Sequence, residues 1–153
     1  MILDNRQTDI DRACESLAES LDYFYDNTSR LYAPAREVLT PCFEKRRADT
    51  LALRRMSIEA LAMLPRGQND EWEEFRWLWS RLKSVVKGSQ QVILREMREH
   101  ERTVMVDTAK AMAHRLPDEM DPLLERIFLS SRQVLKALYD AQTRLDQQRS
   151  QDR

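Results

Sequence analysis

Two glycines in 153 residues constrain this chain more than any motif in it. A β-rich protein of this length needs many turns with φ > 0, and glycine is their usual occupant. With glycine only at positions 67 and 88, tight connections are few and long helices are the consistent answer. The length suits one domain around one continuous core. Hydrophobic residues at 42% and charged residues at 33% give a globular rather than a disordered composition.

The prolines punctuate the chain. Thr40-Pro41 reads as an N-cap followed by the first helical position, where a missing N–H costs nothing. Leu64-Pro65-Arg66-Gly67 stops a helix, and Asn69 or Asp70 can cap the next. Gly88-Ser89 is a break with Ser89 as a cap, and Leu116-Pro117-Asp118 ends another helix. Asp121-Pro122 repeats the cap-plus-proline signal, with Asp118 as an alternative start. Pro34 sits inside an unbroken pattern, which predicts a kink near Arg30 to Pro34. The expected helices are therefore about 8–39, 41–64, 70–87, 89–115 and 119–147, followed by a frayed polar tail from Asp146 to Arg153.

Apolar spacing within these limits is helical. Ile10, Cys14, Leu17, Leu21, Phe24, Thr28, Leu31, Ala35 and Val38 recur by alternating threes and fours. Met120, Leu124, Ile127, Ser131, Val134, Leu138, Ala141 and Leu145 do the same. Each run is about 30 residues, or roughly 45 Å of helix. The stripe of the second helix is less tidy, with Phe43, Leu51, Ile58 and Leu61; the segment from Ser89 to Arg115 carries Ile93, Met97, Val104, Met105, Thr108 and Met112. Trp72, Phe75, Trp79, Leu82 and Val86 give 70–87 an aromatic face, with Trp77 beside it. The tryptophans read either as a plug at one end of the core or as a dimer surface. The expected architecture is an all-α, antiparallel four-helix bundle with an extra short aromatic helix before the third long helix.

Charge narrows the partners. Lys plus Arg number 25 against 26 Asp plus Glu, so no global basic field gathers nucleic acid. Arg46-Arg47 and Arg54-Arg55 stand among acids and read as solvated helix surface. No apolar run approaches the ~18 residues of a membrane span, and the N-terminus lacks a signal-peptide core. Cys14 and Cys42 are too few for a disulfide framework. The expected location is the cytoplasm.

A helical bundle builds a di-iron site from inward-facing glutamates and Glu-x-x-His pairs, because residues at i and i+3 share a face. Here the two histidines, His100 and His114, are preceded at that spacing by Met97 and Ala111, and no acid lies on the first or last stripe. A standard di-iron site is not expected. Glu101 alone breaks the apolar pattern of its helix, and a buried carboxylate must neutralise or find a cation. It reads either as an ion pair with Arg47 or Arg54 of the second helix, or as a ligand in a weak cation site. His100 reads as a boundary residue, and His114 suits the C-terminal end of its helix dipole. Two glycines 21 residues apart cannot form a phosphate loop, and neither cysteine has an identifiable base. No catalytic residue is assigned.

Trp77-Leu78-Trp79-Ser80-Arg81-Leu82-Lys83, followed by Ile93-Leu94-Arg95-Glu96-Met97-Arg98-Glu99-His100-Glu101, resembles the second half of a bacterial family of ferritin-like domains of unknown function. The resemblance runs from about Trp72 to Asp146 and extends loosely to Phe43-Glu44-Lys45-Arg46-Arg47. It implies a ferritin-like bundle, often dimeric, with Glu101 matching the family's helix-three glutamate. Leu138-Tyr139-Asp140 stands where the final helix would supply a histidine, which puts metal binding in doubt. The leading expectation is a non-catalytic oligomeric interaction or stress-associated protein, dimeric through Trp72, Trp77 or Trp79. The alternative is a metal-binding oxidase or storage bundle holding iron or manganese through Glu44, Glu101 and Glu125. A nucleic-acid-binding module is disfavoured, since only the second helix's arginines offer a basic face.

Overall fold

The computed structural model describes residues 3–63 and 89–152. Every regular element among them is helical: α1 (Asn5–Asn27), a 3-10 turn (Thr28–Arg30), α2 (Ala33–Leu61), α3 (Gln90–Met112) and α4 (Met120–Gln151). The expected 70–87 helix, with Trp72, Trp77 and Trp79, lies outside the described residues. No described helix is long and apolar enough to cross a membrane.

Helix α1 starts in a reciprocal cap. The Asp4 carboxylate accepts from the Gln7 N–H at 2.7 Å, and the Gln7 side chain accepts from the Asp4 N–H at 3.0 Å. The Gln7 amide then donates to the Leu61 carbonyl at 2.7 Å, so one side chain serves the start of α1 and the end of α2. Ser89 caps α3 as expected, its hydroxyl accepting from the Val92 N–H at 3.4 Å. Neither Asp118 nor Asp121 caps α4; Glu119 holds that position without a side-chain bond. The tail does not fray at Asp146, because α4 continues to Gln151.

The first two helices divide elsewhere than expected. The chain breaks at 28–32, so Pro34 opens α2 rather than kinking α1, and Pro41 lies inside α2. Pro34 has no N–H to offer the Arg30 carbonyl, and the Gln90 side chain donates to that carbonyl instead. The same Gln90 accepts from the Tyr32 N–H at 2.8 Å, which satisfies the break from the start of α3. An interior proline costs roughly 3 kcal/mol. Leu39 and Phe43, buried on either side of Pro41, offset that cost. Restarting the helix also shifts its phase, so Leu39 is buried where Val38 was expected, and Val38 is exposed.

The core has two apolar clusters. The first gathers Ile10 and Leu17 of α1, Leu53 and Leu61 of α2, Val104 and Ala111 of α3, and Leu124 and Ile127 of α4. The second gathers Phe24, Leu39, Phe43, Leu94, Met97, Val134 and Leu138. The expected α4 stripe is buried from Met120 to Ala141. In α3 the core positions are Ile93, Leu94, Met97, Glu101, Val104, Thr108 and Ala111, while Met112 is exposed. In α2, Leu51 and Ile58 are exposed, and the buried stripe is Leu39, Phe43, Arg46, Thr50, Leu53, Ser57 and Leu61. Helix α1 packs on α2 and α3, and α4 packs on the same two, so α2 and α3 occupy one diagonal and α1 and α4 the other.

Helix α2 ends with Ala62 in the left-handed region (φ 52°, ψ 34°), and the Met63 N–H reaches back to the Ser57 carbonyl at 3.2 Å. A Cβ in that conformation costs roughly 1 kcal/mol, which glycine avoids. Ala62→Gly is expected to stabilise the protein by about 0.5–1 kcal/mol in urea unfolding, and a loss of stability would contradict this account of the terminus.

Candidate functional site

Between the two apolar clusters, each of the four described helices contributes one polar side chain to a common layer. Arg46 of α2 (2% exposed) meets Glu101 of α3 (1% exposed). The guanidinium engages the carboxylate through two parallel bonds: Nη1 to Oε1, and Nη2 to Oε2 at 2.8 Å. Ser131 of α4 donates to Oε2 at 2.7 Å. Ser20 of α1 accepts from Arg46 Nη1 at 3.2 Å and donates to the Leu17 carbonyl at 2.7 Å.

Apolar packing positions the cation. Phe43 stacks on Phe24 with centroids 4.2 Å apart and planes 3° from parallel. The Arg46 guanidinium lies over the Phe43 ring, 4.9 Å from its centroid, one helical turn further along. The Thr50 hydroxyl donates to the Arg46 carbonyl at 2.7 Å. Arg46 was read from sequence as solvated surface, and Arg47 or Arg54 as the partner of Glu101. The structure corrects both readings. The expected ion pair exists, but Arg46 makes it, because Arg46 is the arginine that falls on the stripe defined by Leu39, Phe43, Thr50 and Leu53.

Other polar pairs tie the helices together. Asp49 is buried and receives Arg126 of α4 at 3.0 Å. His114, past the end of α3, contacts Asp9 of α1 at 2.6 Å, so its partner is a side chain rather than the helix dipole alone. Ser16 of α1 donates to Asp107 of α3. His100 lies against the Tyr23 ring, with centroids 5.0 Å apart. Burial foremost, and then the Glu96 charge, push the Tyr23 hydroxyl up to about 12, so it stays protonated near neutral pH. Thr108 is fully buried and its hydroxyl has no partner among the described residues.

This arrangement leaves Glu101 poorly placed to take a metal ion. Both oxygens of Glu101 are held by the Arg46 guanidinium, and Ser131 takes a further lone pair. Glu44 and Glu125, the other candidate ligands, are exposed. Among the described residues no group of three or more His, Cys, Asp or Glu side chains could hold a metal ion, so Glu44, Glu101 and Glu125 do not form one site. Among the described residues the donors therefore do not fit the iron or manganese centre that the resemblance to ferritin-like domains implies. Cys14 and Cys42 are free thiols, Cys14 buried on the expected core stripe.

The described residues define a class, an all-helical core of four helices whose central polar layer is an internal ion pair. Comparison of the chain with protein-family models, curated proteins and solved structures gave no match.

Breaking one side of a buried pair strands a charge, at a cost of about 3–5 kcal/mol, whereas replacing both sides with apolar groups is often nearly neutral. Arg46→Met and Glu101→Leu are each expected to destabilise by that amount, and the double variant by much less than their sum. Additive losses in a denaturation cycle would contradict the coupling. Tyr23 supplies a pH dependence. Its folded-state value is raised, so the unfolded chain releases the proton first and stability falls as pH climbs from about 10 to about 12. Thermal midpoints across that window should fall less steeply in Tyr23→Phe than in the parent; equal slopes would contradict the assignment.

Proposed function

We propose that this chain is a non-catalytic, ferritin-like, antiparallel four-helix bundle without a di-iron site, acting in the cytoplasm as an oligomeric interaction or stress-associated protein. The Glu101 carboxylate, engaged at both oxygens, is the observation that carries the reading: where a metal-binding bundle needs an open ligand, this one has Arg46 and Ser131. Two features of the chain path support the ferritin-like part. Cross-pairs run in opposite sequence directions on neighbouring helices, as in Gln7–Leu61, Ser20–Arg46 and Phe24–Phe43. The same opposition holds for Asp9–His114, Ser16–Asp107 and Tyr23–His100. Helix α2 ends in the first cluster while α3 begins in the second, so the termini to be joined are separated along the bundle. A single long crossover of that kind characterises ferritin-like bundles, in contrast to up-down-up-down ones.

Elemental analysis of protein purified without chelator tests the metal-free reading. Iron and manganese are expected at less than about a tenth of an equivalent, and a stoichiometric amount of either would overturn it.

A further inference from the structure

The solvent-facing side of α2 beside α1 carries exposed apolar side chains. Leu51 is 58% exposed and Ile58 39%, and Tyr25 of α1, further along the same side, is 42% exposed. A groove of about 420 Å³ runs between the two helices, lined among others by Asp22, Tyr25, Arg47, Leu51 and Arg54. Towards the end of α2 a smaller cavity lies between the same helices, with Asp11, Glu15, Arg54 and Ile58 in its walls. The acids come from α1 and the arginines from α2, so one wall is negative and the other positive. Asp11, Glu15 and Asp22 already have partners within the chain. What distinguishes the groove is its arrangement, two oppositely charged walls beside exposed Tyr25, Leu51 and Ile58.

We infer that this groove is the interface with a second copy of the chain, related by a twofold axis parallel to the helices. The inference rests on the oligomeric reading above and names its face. The cross-pairs Gln7–Leu61, Ser20–Arg46 and Phe24–Phe43 fix the relative heights of α1 and α2. Asp22 stands level with the turn carrying Arg47, and Asp11 and Glu15 stand level with the turn carrying Arg54. A twofold parallel to the helices lays α1 of each copy on α2 of the other without changing height. Asp22 then faces Arg47, and Asp11 and Glu15 face Arg54, twice over. The twofold perpendicular to the helices in the same plane stacks α1 on α1 and sets acids against acids, so charge selects the first. Leu51 lies midway along this face, where an interface needs its apolar centre, and Ile58 and Tyr25 flank it towards the two ends.

Area sets the strength. From Asp11 to Asp26 the face is roughly 23 Å long, and two helices make it roughly 20 Å wide. That is about half of the ~800 Å² per partner of a standard interface, so the dimer belongs among weak, micromolar associations.

Sedimentation of the full chain up to about 200 µM tests this, with a monomer–dimer equilibrium on the order of 10 µM expected. Leu51→Glu should weaken the dimer at least about tenfold with helicity unchanged. The Arg47→Glu/Arg54→Glu and Glu15→Arg/Asp22→Arg pairs should each be monomeric and helical alone, and should form a mixed dimer when combined. That mixed dimer is what two copies of opposite charge on this face require, and its absence between two folded, monomeric partners overturns the proposal. A parent protein that stays monomeric throughout overturns both this interface and the oligomeric reading. A dimer that survives Leu51→Glu and both charge reversals overturns this face alone and leaves the oligomeric reading standing. If Leu51→Glu lowers stability without changing the association state, the groove is covered by the chain itself, and the proposal fails.

Discussion

Arg46 and Glu101 belong to helices that do not pack along one another. Neighbouring helix axes lie ~10 Å apart, which puts diagonal axes about 14 Å apart, too far for most side-chain pairs. Arginine is long enough to reach a glutamate across that gap, provided the other diagonal leaves room. It does, because Ser20 and Ser131 are small and their hydroxyls face the pair. The layer is thus a division of labour by size and chemistry: one diagonal supplies opposite charges and the other supplies space and hydrogen bonds. Burying two ions costs several kcal/mol each, so the geometry has to be complete before the pair is tolerable at all.

Completeness has a chemical consequence. A carboxylate that will bind a metal or move a proton needs a lone pair or a proton exchangeable with something outside the fold. Glu101 directs its oxygens to Arg46 and Ser131, and it is almost entirely shielded from solvent. The charge satisfies the interior rather than serving a ligand. Its position between the two clusters also bears on register: sliding α2 by one turn would carry Arg46 to the place of Phe43 or Thr50 and leave Glu101 unpaired.

Much of this was legible in the sequence, for stated reasons. The α4 stripe could be read because its core positions are apolar or small, and Glu101 stood out as an acid within an apolar run. The α2 stripe could not, because Arg46, Asp49, Thr50 and Ser57 are buried there and imitate a surface. The spacing of Leu39, Phe43, Leu53 and Leu61 was the available signal, and it ran through Arg46. The break at 28–32 was hidden for another reason. Leu31 and Ala35 stay buried across it, so the apolar periodicity survives an interruption of the helix. Gln90, which satisfies that break, is 58 residues from Tyr32 and carries no local signature.

The two errors on α2 have one cause, and it connects the core to the surface. Reading Phe43, Leu51, Ile58 and Leu61 as the buried face amounts to rotating α2 by roughly 70° at 100° per residue. That rotation would bury Leu51 and Ile58 but turn Leu39 and Leu53 outward, an exchange of similar apolar area and hence of similar free energy. Hydrophobic burial alone therefore does not choose between the two orientations. Glu101 does, because in the rotated helix Arg46 points away and the carboxylate is left buried without a cation. The ion pair fixes the rotation of α2, and the leucine and isoleucine it leaves behind become the exposed apolar wall of the α1–α2 groove. The exposed hydrophobic surface of α2 follows from the charge in the middle of the bundle.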